Sequence, residues 1–198
     1  MPADLRRALI VSLVSTGWTT LTSTVGIALG IRTGSLALVA FGATGFVDAA
    51  GSALLAANFR NELSPAPRAE PNDRRAHVVI SSGLVLVGAF AGGEAIDHLV
   101  THRAGGGTTA GAVLAGLSAA TLAVLASTKS RIAGRLGSAA LRSDSHLSAT
   151  GALLGLVTLG GVALRRITWL DAACTLAIGV AAVTSGILGW PSRAHEGE

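Results

Sequence analysis

The sequence predicts an all-α membrane protein, a single bundle of six transmembrane helices. Three observations carry this reading. Apolar residues fill 50% of the 198 positions and charged residues only 13%, whereas a soluble domain is about 25% charged. The few charges are segregated: residues 8–31, 49–59, 76–93, 104–128, 145–164 and 172–192 hold none, and a bilayer core needs about 20 largely apolar residues per helix. Basic residues, finally, collect in alternate gaps between those runs. Such a composition excludes a disordered chain, a coiled coil or a nucleic-acid-binding domain, and predicts no nucleic-acid partner. The single cysteine, Cys174, excludes an intrachain disulfide and a thiolate zinc cluster, and its setting in an apolar run suits a small packing residue.

The first span, 8–29, follows Arg6 and Arg7. Five comparable runs come after it, which speaks against a cleaved signal peptide. The second, 35–57, holds Asp48. A connector over 58–76 contains three of the five prolines and Arg60, Arg68, Arg74 and Arg75, so an irregular loop is expected there. The third span, 77–100, carries Glu94 and Asp97 near its end, and the segment RAGGGTT forms a short flexible link to the fourth, 108–128. Lys129, Arg131 and Arg135 then read as a basic loop before the fifth span, 141–164. The sixth, 169–190, opens on Trp169 and Asp171, and the few residues beyond Trp190 leave no room for a soluble C-terminal domain. The gaps bearing Arg6 to Arg7, Arg60 to Arg75, Lys129 to Arg135 and Arg193 alternate with gaps holding only Arg32, Arg103, Arg165 and Arg166. The positive-inside rule then predicts an integral protein of the cell membrane with both termini and the 58–76 loop cytoplasmic.

Ionisable groups at membrane depth cost a few kcal/mol each, roughly 3 on insertion scales, and call for an explanation. Asp171, just after Trp169, suits a cap on the first turn of span six. Glu94 and Asp97, with His98 and His102, form either a cation-gathering cluster at the outer mouth or a hydrated helix end. Asp48 is deep from both ends of span two. Thr44 lies four positions before it, on the same helix face, and His146 and Thr150 repeat that spacing in span five. With spans two and five antiparallel, Asp48 and His146 reach similar depth, as ligands of a divalent metal such as zinc or as a polar pair holding the bundle together. Asp144, two residues from His146, points about 200° away from it on a helix and would line the cytoplasmic approach. Three G-x-x-x-G pairs, Gly26 with Gly30, Gly88 with Gly92 and Gly151 with Gly155, permit close helix packing.

Three stretches, TGSLALVAFGATGFVDAAGS, KSRIAGRLGSAALRSDSHLSATGALLG and WLDAACTLAIGV, together resemble the transmembrane part of the cation diffusion facilitator family over nearly the whole chain. The resemblance implies a six-helix cation-efflux-like fold and a proton-coupled exporter of divalent metal, zinc foremost, working by alternating access as a homodimer. It implies no tightly bound cofactor: the partners are the transported metal, protons and the lipid bilayer. It places metal ligands at Thr44 and Asp48 in helix two and at His146 and Thr150 in helix five, with Asp144 nearby. Two of those four positions are threonines, and the family's soluble metal-binding domain has no counterpart. A second class therefore stands beside the first: a transport-inactive relative serving as a structural or interaction subunit. No H-E-x-x-H, nucleophile and base pair or phosphate loop suggests an enzyme.

Overall fold

A computed structural model describes residues 2–64, 73–101, 108–164, 167 and 169–188. They form six helices: α1 (Pro2–Thr33), α2 (Leu36–Glu62), α3 (Asp73–Val100), α4 (Thr109–Leu136), α5 (Ala139–Ala163) and α6 (Leu170–Leu188). All six are long and apolar enough to cross a membrane. The distribution of side chains supports this, because large apolar residues such as Leu13, Ile31, Leu86, Phe90 and Val124 face outward while serines, threonines and the four charged residues Asp48, Lys129, Asp144 and Asp171 are buried. That is the reverse of a water-soluble bundle and suits lipid as the surrounding solvent. Most of the proline-bearing connector, the RAGGGTT segment up to Gly107, Arg165, Arg166, and everything beyond Leu188 lie outside the described residues.

One element differs from the sequence expectation in a way that matters. Helix α4 continues past residue 128 to Leu136, so Lys129, Arg131 and Arg135 are helical and do not form a basic loop. Nothing in the sequence breaks the helix there. It stops where Gly137 adopts φ 67°, a left-handed conformation that glycine takes without steric cost, and its N–H bonds Ala133 O. Ser138 then caps α5 by accepting from Leu141 N at 3.2 Å. The link between α1 and α2 uses the same device: Gly34 has φ 70°, and the Ser35 hydroxyl accepts from Leu38 N. Leu38 and Leu141, three residues after each serine, are both fully buried.

These matched turns belong to a larger correspondence. Helix α1 packs mainly on α2, α4 mainly on α5, and α3 mainly on α6; α2 meets α3 and α6, α5 meets α6, and α1–α4 and α2–α5 also pair across the molecule. Residue partners fix the directions. Gly88 lies against Gly179 and Gly186 against Ser81, so α3 and α6 are antiparallel; Ser52 with Asp144 makes α2 and α5 antiparallel; Ser15 with Lys129 and Gly26 with Leu114 do the same for α1 and α4. The chain is thus two three-helix halves of opposite direction. The start of α1 and the end of α6 share one face of the bundle, here the terminal face. Glycines let the halves and hairpins close: a Cβ on Gly42 would sit 2.8 Å from Ser23 O, and one on Gly88 would sit 2.6 Å from Gly179 O. The three G-x-x-x-G pairs all act within the chain, against α2, α6 and α4 respectively.

Candidate functional site

The interior polar groups form two stacked layers between two apolar ones. Next to the terminal face, Ala8, Leu55, Phe59, Ile132, Ala133 and Leu141 make an apolar cluster. Toward the opposite face lies a second, formed by Ala40, Phe41, Ala91, Leu154 and Ile178. Helix α1 supplies the polar seam between them with a stripe of buried hydroxyls at Ser12, Ser15, Thr19, Thr22 and Ser23. Their spacing of three and four residues puts them on one face.

The first polar layer surrounds Lys129, whose side chain is 0% exposed. Its ammonium lies 2.7 Å from Asp144 Oδ2 and donates to Ser15 Oγ at 2.8 Å, Ser148 Oγ at 2.9 Å and Ser52 Oγ at 3.0 Å. Ser52 in turn donates to Asp144 Oδ1 at 3.0 Å. Four helices each contribute: Ser15 from α1, Ser52 from α2, Lys129 from α4, and Asp144 and Ser148 from α5. A buried charge is tolerable only when paired and hydrogen-bonded, and this pair is both. The hydroxyls that encircle it take the place that water would hold.

Asp48 defines the second layer. It is one helical turn from Ser52 on α2, and Thr19 is one turn from Ser15 on α1, so this layer stacks directly on the first. A cavity of about 40 Å³ has walls that are mostly apolar, Phe41, Leu84, Leu122, Leu147 and Leu154 among them, and its polar groups are Asp48 and Thr44 of α2, Thr19, Thr22 and Ser23 of α1, Thr150 of α5 and Ser185 of α6. Asp48 is 8% exposed, its oxygens make no hydrogen bond of ordinary geometry, and the Thr19 hydroxyl lies close enough to interact with it. Lys129 and Asp144 are both within electrostatic reach of it. Thr44 donates its hydroxyl hydrogen to Phe41 O at 3.0 Å and Ala40 O at 3.1 Å, and Thr22 donates to Trp18 O and Thr19 O. Those hydroxyls therefore present oxygen lone pairs, not hydrogens, to what shares the cavity.

Of the residues singled out in the sequence, Thr44, Asp48 and Thr150 come together here. His146 does not: it lies exposed on the outer surface of α5. The expected meeting of Asp48 with His146 is thus corrected, for a geometric reason. Asp144 and His146 are two residues apart, only one can face inward, and the pairing with Lys129 turns Asp144 in. Asp144 accordingly is the acceptor of a buried ion pair and does not line an open approach. Among the described residues, no three His, Cys, Asp or Glu side chains gather in a metal-holding arrangement. That includes Glu94, Asp97 and His98 on α3; His102 lies outside the described residues.

Asp171 also does a different job from the one expected. Its carboxylate accepts from Ser35 Oγ at 2.7 Å and from Leu36 N at 3.0 Å, so it caps the start of α2 rather than its own helix, tying the two halves together at the face opposite the termini. Cys174 packs beside Gly161 between α5 and α6, in keeping with a packing role. Lys129 is the residue that the sequence reading missed. Its signal was the absence of any helix breaker before Gly137, with serines available to surround it on α1, α2 and α5. No protein-family model matches the chain, and no curated protein matches it.

Proposed function

We propose that this protein is a secondary transporter of small cations, working by alternating access, with Asp48 as the ion-binding group. One observation carries the proposal: a buried carboxylate that no hydrogen bond of ordinary geometry satisfies lines a cavity between two inverted halves. A carboxylate in that position is costly unless a cation or proton satisfies it, and intramembrane ionisable groups facing a bundle interior mark transport paths by default. Inverted repeats with a site at their interface are a recurring architecture of secondary transporters. Movement of the closely packed α3–α6 pair against α1, α2, α4 and α5 would open the cavity to one face and then the other, and a proton could compete for Asp48 in either state. The resemblance to the cation diffusion facilitator family agrees with this reading and adds proton-coupled efflux as its direction. The basic residues on the terminal face, Arg6, Arg7, Arg60, Arg131 and Arg135, support a cytoplasmic location for that face.

The test is flux in proteoliposomes loaded with an indicator, offered Na+, K+, Mn2+ and Zn2+ in turn with and without a pH gradient. Asp48-dependent movement of any of these supports transport: wild type carries the ion and Asp48→Asn does not. Flux unchanged in Asp48→Asn refutes the assigned site. A second reading, a transport-inactive membrane subunit, is favoured by the outward His146 and the neutral Thr44 and Thr150; it is upheld if no cation moves at all.

A further inference from the structure

We infer that the cation bound beside Asp48 is a small, oxygen-preferring monovalent ion with the chemistry of Na+. This rests on the Asp48 site proposed above and names its substrate class. The first argument is charge. Three charged side chains are buried in the two polar layers, and Lys129 neutralises Asp144 at 2.7 Å, which leaves Asp48 with one uncompensated negative charge. A monovalent cation brings that interior to neutrality. A divalent ion would leave a net positive charge deep in a low-dielectric region beside the Lys129 ammonium, and uncompensated charge there is what membrane interiors disfavour most.

Ligand chemistry is the second argument. Within mostly apolar walls, the only polar groups lining the cavity are a carboxylate and hydroxyls, with no imidazole and no thiolate. Zinc favours nitrogen and sulfur, while hard cations take oxygen donors. Thr22 and Thr44 spend their hydrogens on carbonyls of their own helices and keep lone pairs for an ion. A proton on Asp48 would supply one O–H donor, enough for one of these acceptors, whereas a cation can draw on several at once.

Binding is tested separately from transport, on the full chain in detergent micelles or nanodiscs. Thermal unfolding is followed in NaCl against N-methylglucamine chloride at equal ionic strength, with MnCl2 and ZnCl2 as competitors. The expected result is an unfolding temperature that rises with Na+ in wild type and loses this dependence in Asp48→Asn. Lys129→Met/Asp144→Leu, which removes the ion pair but keeps the single charge, retains the Na+ response. Lys129→Met alone doubles the uncompensated charge and moves the preference toward Mn2+. No Na+ response, or an Asp48-dependent response to Mn2+ or Zn2+ at lower concentrations than to Na+, overturns the inference. Na+ binding without flux would sink the transport reading and spare this one; Asp48-dependent flux of a divalent ion without Na+ binding would do the opposite.

Discussion

Replacing Lys129 by Met removes the ammonium while keeping most of the length and apolar bulk of the side chain. The substitution strips Asp144 of an ion-pair partner at 2.7 Å and leaves Ser15, Ser52 and Ser148 without the donor they share. Interhelical hydrogen bonds in membrane proteins average roughly 0.6 kcal/mol, so the three serine contacts together account for about 2 kcal/mol. Breaking a buried ion pair from one side costs about 3–5 kcal/mol, most of it from the stranded charge. Ser52 still donates to Asp144 Oδ1 and offsets part of this, so we expect a net loss near 4 kcal/mol, within the range those terms set. SDS titration of the protein in mixed micelles, followed by circular dichroism, measures it. The companion variant Asp144→Leu strands the lysine and should cost about as much, whereas Lys129→Met/Asp144→Leu should recover most of the loss, giving a coupling energy of about 3 kcal/mol or more. A Lys129→Met variant within about 1 kcal/mol of wild type, or strictly additive effects in the cycle, would refute the four-helix ion-pair layer.

Gly88→Ala should destabilise the bundle by about 1–3 kcal/mol, because the new Cβ would lie 2.6 Å from Gly179 O, while Gly93→Ala, with no atom within 4 Å of its Cβ, should be neutral or slightly stabilising in the same titration. Asp171→Ala leaves the Ser35 hydroxyl and the Leu36 N–H without their acceptor and should cost about 1–2 kcal/mol; hydrogen exchange at the first turn of α2 will show the loss as faster exchange. His146→Ala should leave Asp48-dependent ion binding and stability unchanged, since the imidazole faces outward; a tenfold or so weakening of binding would restore it to the site.

The six helices were legible because lipid imposes a length and an apolarity that a charge map exposes directly. Asp48 and Thr44 were legible for a related reason: a carboxylate far from both ends of a span must face something polar, and four-residue spacing aligns its neighbour. Periodicity could not decide between Asp144 and His146, since two residues on one helix cannot both point inward and the choice lies with a partner on another helix. That partner, Lys129, was hidden by position. A lysine just past an apolar run reads as a loop signal, and only the continuation of α4 to Leu136 carries it into the bundle. Asp171 shows the same limit in milder form, because an aspartate near a helix start can cap either its own helix or one brought alongside by the fold.

The matched glycine-serine turns that open α2 and α5 give the two helices a common register. Counted from Gly34 and from Gly137, Asp48 and Gly151 hold equivalent places, and both line the same cavity. Ser148 likewise matches Gly45, and Ser52 matches Gly155. Asp144 is matched in turn by Phe41 and Thr44 by Leu147, and the three glycines take their close contacts from α1 and α4: Gly45 from Ser23, Gly151 from Leu122 and Gly155 from Ala119. Two halves that open with the same turns are therefore chemically one-sided: the places that hold Asp48, Ser52 and Ser148 on one helix are places of close helix packing on the other. Gly151→Asp would accordingly bring its Cβ to 3.1 Å from Leu122 Cδ1 of α4, so a second carboxylate at the equivalent place would come only at the cost of that packing.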